Sequence, residues 1–172
     1  MEVFGYKAFN SDFTNNYGTK FEVGSLYIFN NRIKNISDFK GYHFCKNMED
    51  NFRYIDAMNK EIKMCYVRGS GDVQEQIDEY NGYYDKYIVT HLNILKELTR
   101  DEIIDIGLNL NDIRVKRFLS GFKLTEEELK MFETKFSKNI NILKVIEYYQ
   151  KNNLDVYKEG VKTYGQYSNK RS

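Results

Sequence analysis

The sequence of 172 residues has no proline and no tryptophan, two alanines (Ala8 and Ala57), two cysteines (Cys45 and Cys65) and two histidines. Two cysteines make no disulfide framework, so the fold has to be held by a buried core rather than by cross-links. Charge of one sign is also missing: 26 Lys and Arg stand against 25 Asp and Glu, a net of +1. No basic excess is available to neutralise phosphates, which disfavours nucleic acid as a partner. The uninterrupted apolar runs, such as Met64 to Val67, are far shorter than the roughly 20 residues a membrane helix needs, so no membrane partner is expected. Met1 to Tyr6 lacks the basic-then-apolar pattern of a secretory leader, and together with the sparse cysteines this points to an intracellular, reducing setting.

What is abundant is Asn (18), Lys (19), Ile (15) and Tyr (15), the usage that AT-rich codons produce; it suggests a low-GC microbe, a phage or a large virus. The apolar fraction of 41%, with 16% aromatic residues, exceeds what a disordered chain carries. At this length one globular core suffices.

The first half reads as strands and turns. Val3 to Phe9, Lys20 to Phe29 and Tyr42 to Cys45 are rich in aromatic and β-branched residues, with a polar turn from Ser11 to Gly18. Asn47 is placed to cap a helix from Met48 to Met58, with Glu49 and Asp50 in its first turn and Phe52 and Ile55 turned inward. Glu61 to Arg68 alternates as a strand that Gly69 to Gly71 should break, and Lys86 to Leu95 is a further strand. The character changes at Thr99. Thr99 with Glu102, and Thr125 with Glu128, have the spacing of capping boxes, and residues 112 to 120, 126 to 136 and 139 to 151 carry apolar positions at helical spacing. The expected organisation is an α+β domain over 1–98, a helical subdomain over 99–157, and a poorly ordered tail over 158–172.

Few residues invite chemistry. His43 and Cys45 fall on one side of a strand, but two ligands do not make a zinc site, and a buried His–Cys strand is the simpler reading. Walker loops, nucleophile elbows and His-Glu-x-x-His helices are absent. Gly69-Ser70-Gly71-Asp72 has the composition of a phosphate nest or of a turn leaving a strand. The tyrosines Tyr80, Tyr83, Tyr84 and Tyr87 have the composition of a binding rim but read more simply as a solvated aromatic-rich loop, and Arg114, Lys116 and Arg117 as a wet basic helix face.

The segment Gly41-Tyr42-His43-Phe44-Cys45-Lys46-Asn47-Met48-Glu49-Asp50 resembles the Gly-Phe-His-Ala-Cys-Glu-Asn-Pro-Leu-Asp signature of an uncharacterised domain family spread through phages, low-GC bacteria and giant viruses. Gly41, His43, Cys45, Asn47 and Asp50 match, while Met48 replaces the proline. Tyr6-Lys7-Ala8-Phe9, Phe21-Glu22-Val23-Gly24 and the stretch from Asp85 to Thr99 extend the resemblance over residues 5 to 100. More distantly, the order of elements is similar to the core of ADP-ribosyltransferases of the diphtheria-toxin and poly(ADP-ribose) polymerase type, in which a tyrosine follows a strand glycine by thirteen residues; here Gly41 and Tyr54 have that spacing. That resemblance implies a small mixed or antiparallel sheet with a crossing helix. It also implies an NAD site formed by Lys7, Gly41, Tyr42, His43, Tyr54 and Arg68, with Tyr54 stacking and Lys7 or Arg68 holding phosphate. The late glutamate such enzymes need has no counterpart, since Tyr66-Val67-Arg68 stands in its place, so no catalytic residue is assigned. The expectation is therefore a viral or phage accessory protein with a degenerate transferase-like fold, acting on a protein partner or within a virion and needing no cofactor. An active NAD-dependent mono-ADP-ribosyltransferase is the alternative, with Asp72, Glu75 or Glu79 as the acid, and a nucleic-acid factor resting on the Arg114 helix is a third reading.

Overall fold

A computed structural model describes residues 1–30, 40–76 and 86–152. The chain forms two compact units: Met1–Ile55 with Glu61–Ile103, and Asp56–Lys60 with the residues from Ile104 onward. Strands build the first and helices the second, an α+β architecture. The expected tail over 158–172 and the tyrosines Tyr80, Tyr83 and Tyr84 lie outside the described residues.

In the first unit β1 (Val3–Asn10), β2 (Leu26–Ile28), β3 (Tyr42–Cys45), β4 (Ile62–Gln76) and β5 (Lys86–Glu97) pair antiparallel throughout. β1 pairs with β4, β4 with β5, β5 with β3, and β3 with β1, so the sheet returns on itself, while β2 adds to β5. Alternation then sends one side chain in two into the ring. Phe9, Phe44, Cys65, Val67, Tyr87, Val89, Leu92 and Ile94, joined by Phe21, form its apolar interior. A Cβ on Gly5 or on Gly69 would press on the Phe44 ring, so both positions keep space for that buried phenylalanine.

Two sequence expectations give way here. Gly69 to Gly71 does not break the strand: β4 continues to Gln76 through a register shift between Ser70 and Val73. One extra residue is absorbed as a bulge in which Gly71 takes a φ of 75°, and a side chain there would collide with Thr90 and His91. Gly69-Ser70-Gly71-Asp72 is thus neither a phosphate nest nor a terminal turn; the Asp72 amide donates to Thr90 Oγ1 at 2.9 Å. Likewise, of the expected strand from Lys20 to Phe29 only Leu26–Ile28 joins the sheet, with Lys20 making an isolated bridge to Thr14, and Gly24 turns the chain between them with a φ of 87°.

The expected helix from Met48 to Met58 is instead a 3₁₀ segment, Met48–Arg53, and Asn47 gives it no side-chain cap. Its purpose is visible in Asn51. Beyond the single β1–β3 pair, Tyr6 with Cys45, the Asn51 amide takes over the edge of β1: Oδ1 accepts from the Ala8 amide at 3.1 Å, and Nδ2 donates to the Tyr6 carbonyl at 3.1 Å. A side-chain amide replaces a strand's peptide group, and the tighter winding brings it there.

In the second unit, α2 (Asp112–Gly121), α3 (Glu126–Lys135) and α4 (Ile140–Ile146) follow α1 (Arg100–Leu108), which begins within the first unit's range. Both capping boxes form: Thr99 and Glu102 exchange bonds of 2.8 and 3.2 Å, and so do Thr125 and Glu128. Val115, Phe118, Leu119, Phe132, Ile142 and Ile146 are buried, with Ala57 and Met58 from the Asp56–Lys60 excursion. α4 passes into a π-wound turn, Glu147–Asn152, whose changed phase carries the buried Gln150 to the end of α2. None of the described helices is long and apolar enough to cross a membrane.

Candidate functional site

Most of the residues suggested by the sequence lie on or near β3, which meets β1 at Tyr6 and Cys45. Lys7 and His43 come from these strands, and β5 brings Lys86 opposite Cys45. Lys7 Nζ donates to the His43 carbonyl at 2.5 Å and lies 5.6 Å from the centroid of the Phe9 ring. Burial of this ammonium lowers its pKa to about 8, partly opposed by Cys45. The free Lys in the unfolded chain titrates higher, so between these values the unfolded state holds more protons and stability rises with pH. At neutral pH, then, the Lys7 charge is a cost to the fold. Burial, then Lys86 and Lys7, lowers His43 to about 4. The His43 side chain keeps an exposed edge, but three influences of one sign hold the imidazole neutral at pH 7. Its contribution is complete above the unfolded value near 6.5 and is lost as pH falls toward 4.

The neighbouring acids are Glu49 and Asp50 of the 3₁₀ segment, 1% and 0% exposed. The sequence reading missed their burial; the matched Asp50 was its only signal. Tyr54, just past the segment, is 44% exposed, and Lys86 Nζ lies 5.7 Å from its ring centroid. Gly41 abuts the Val89 carbonyl closely enough that a side chain would strike it, which explains the glycine without a ligand. Tyr42 packs edge-on against Phe21, Tyr27 and Phe29. Arg68 stands apart from the cluster, paired with Glu2 at 3.4 Å beside the stack of exposed Phe4 on half-buried Tyr66. Five of the six suggested residues thus lie on or beside β3, while Arg68 does not join them. Among the fallback acids, Glu75 is bound to Lys46 at 3.1 Å, Asp72 lies at the bulge, and Glu79 is outside the described residues.

The chemistry open to this cluster is limited. Cys45 is pushed up to about 12, by burial first and Asp50 next, so it stays a thiol at neutral pH. Cys65 is pushed to about 12 as well, again mainly by burial. Both are free and buried. They pair with Tyr6 and Lys7 on opposite edges of β1, about 10 Å apart by strand spacing and facing opposite sides, beyond the roughly 7 Å a disulfide tolerates. Mild oxidation should therefore leave two thiols by mass, and both should alkylate rapidly only after denaturation; an intramolecular disulfide in the folded protein would contradict this arrangement. Among the described residues no group of three or more His, Cys, Asp and Glu is placed to hold a metal ion.

No curated protein and no solved structure matches the chain. A family match does exist, and it runs through β1, the signature segment and β5 into α1, ending before α2. Over residues 3–106 this chain belongs to the family described as a domain of unknown function, DUF7666.

Proposed function

We propose that this chain is a viral or phage accessory protein that acts by binding a protein partner, on a core related to ADP-ribosyltransferases but no longer used for transfer. The observation that carries this reading is the engagement of the would-be NAD residues within the fold. Lys7 is bonded to the His43 carbonyl, Lys86 lies over the Tyr54 ring, and Glu75 is paired with Lys46. An oxocarbenium-like transition state needs a preorganised carboxylate opposite it, and deleting one such group costs roughly 10²-fold or more in rate. Among the faces the first unit leaves open is an aromatic and nearly neutral one: the exposed Phe4 stacked on the half-buried Tyr66 with ring centroids 5.9 Å apart, beside the Arg68–Glu2 pair. Aromatic faces beside an arginine suit a protein partner better than a polyanion.

The test is direct. Calorimetric titration with NAD should give weak binding at best, diminished by Tyr54→Ala. Labelled NAD should yield neither transfer to protein nor free nicotinamide. Robust turnover would overturn the reading in favour of the NAD-dependent transferase, with Asp72, Glu75 and Glu79 as the carboxylates to replace first.

A further inference from the structure

Two open edges of the sheet in the first unit are treated differently. β4 outruns β1, whose pairing with it ends at Val3 and Gly69, so from Ser70 to Gln76 it is paired among the described residues on its β5 side alone. That edge is blunted twice, by the bulge at Gly71 and by the charges of Asp72 and Glu75. Such devices keep an edge from accepting a further strand. β2 has neither. It pairs with β5, Tyr27 opposite Leu92, and no described residue pairs with its other side. On either side of Tyr27, the Ile94 amide donates to the Ser25 carbonyl at 3.2 Å and the Phe29 amide donates to the Thr90 carbonyl at 2.7 Å. Peptide groups alternate in direction along a strand, so this pattern turns Tyr27 toward β5 and aims the N–H and C=O of Leu26 and Ile28 away from it.

The side chains of Leu26 and Ile28 are open as well, 53% and 50% exposed. None of the residues from Val23 to Asn30 is charged, and beside Gly24, where the chain enters β2, an added Cβ would meet nothing within 4 Å. An accessible, uncharged edge of sequence Leu-Tyr-Ile-Phe is a template for another strand. The strand that fits is given by β2 itself. Laid antiparallel on a copy of itself about a two-fold axis at Tyr27, it sets Leu26 opposite the partner's Ile28 and Ile28 opposite the partner's Leu26. These are the residues whose peptide groups face outward, so each of the two pairs exchanges both of its N–H···O bonds. Opposite residues share a face, and the exposed aliphatic side chains of both copies gather there with no like charges to repel. The contact is the same patch on both copies, which closes at a dimer.

We propose that β2 pairs with β2 of a second copy of this chain, joining two sheets edge to edge across Tyr27. The inference is independent of the protein partner proposed above, and its test uses this chain alone. So short a contact buries less than a standard interface, and the expected Kd is on the order of 100 µM. Sedimentation equilibrium of the full-length protein from about 10 µM to about 1 mM should show the average mass rising from the monomer value toward twice it. Over that range the Leu26 and Ile28 amides should exchange with solvent deuterium roughly fourfold more slowly, while the Phe29 amide, already bonded to Thr90, should not change; this readout needs no variant. Leu26→Lys combined with Ile28→Lys, both at exposed positions, sets lysines against lysines and should weaken the dimer at least about tenfold. Leu26→Glu combined with Ile28→Glu should do the same, and mixing the two variants should restore association. A dimer indifferent to the lysine pair, or variants that stay apart on mixing, would overturn the proposal. So would a protein that remains monomeric with both amides exchanging freely, which would leave the edge to a strand from another protein.

Discussion

Replacing Gln150 with leucine is expected to destabilise the second unit by about 3 kcal/mol or more, as much as truncating a buried phenylalanine. Gln150 is 6% exposed, and every polar atom of its amide is used. Nε2 donates to the carbonyls of Leu119 and Phe122 at 2.6 and 2.8 Å, and Oε1 accepts from the Leu124 amide at 3.2 Å. The carbonyls belong to the end of α2 and the residue beyond it, where a helix leaves acceptors without intrahelical partners. Leucine has similar bulk and greater apolarity, so the loss isolates three stranded backbone groups, each worth about 1–3 kcal/mol when buried and unsatisfied. Gln150→Glu should be no better, because a carboxylate would face two carbonyl oxygens. Denaturant unfolding followed by circular dichroism measures the loss, and a change under about 1 kcal/mol for Gln150→Leu would show that water or relaxation restores these bonds.

The corresponding position in the first unit is Asn51. Asn51→Asp is expected to cost about 3 kcal/mol, since it retains an acceptor for the Ala8 amide but sets negative charge against the Tyr6 and Met48 carbonyls, now bonded at 3.1 Å each. Asn51→Ala should approach the same loss by leaving the strand edge bare. Exchange of the Ala8 amide with solvent deuterium provides a local readout, and it should accelerate in both variants more than exchange within the β4–β5 ladder. Unchanged Ala8 protection would mean that Asn51 does not serve as a strand surrogate. This effect differs from generic loss of packing, which would spread over the whole unit.

Both residues mark where sequence reasoning reached its limit. The strands beginning at Val3, Tyr42 and Lys86, the two capping boxes and the helices α2 to α4 follow from patterns spanning a few residues, and those patterns determine the local outcome. The continuation of β4 through Gly69 to Gly71 depends on partners more than fifteen residues away in β5 and was read as a break, because two glycines and a serine look the same locally in a bulge and in a turn. Asn51 and Gln150 were invisible for a related reason. A buried amide is chosen for what another segment leaves unsatisfied, and the sequence around it carries no trace of that need. Of the residues suggested by resemblance, Lys7, Gly41, Tyr42, His43 and Tyr54 lie on or beside β3, whereas the burial of Glu49 and Asp50 and the approach of Lys86 are visible only in the fold.

The closed pairing of the first unit also orders events in time. β1 is made before the other strands of this sheet, yet its partners are β3 and β4, and β5 is needed to join those two. At about 5–20 residues per second, the chain from β1 to β5 takes on the order of 5–20 s to emerge, during which β1 can pair with β4 but the ring cannot close. A nascent chain stalled before Lys86 would carry an unclosed sheet with open edges, the form most prone to pair with another copy. Completion of the ring therefore waits on the synthesis of β5, and until then the free edges of β3 and β4 are where a partly made chain is most exposed to mispairing.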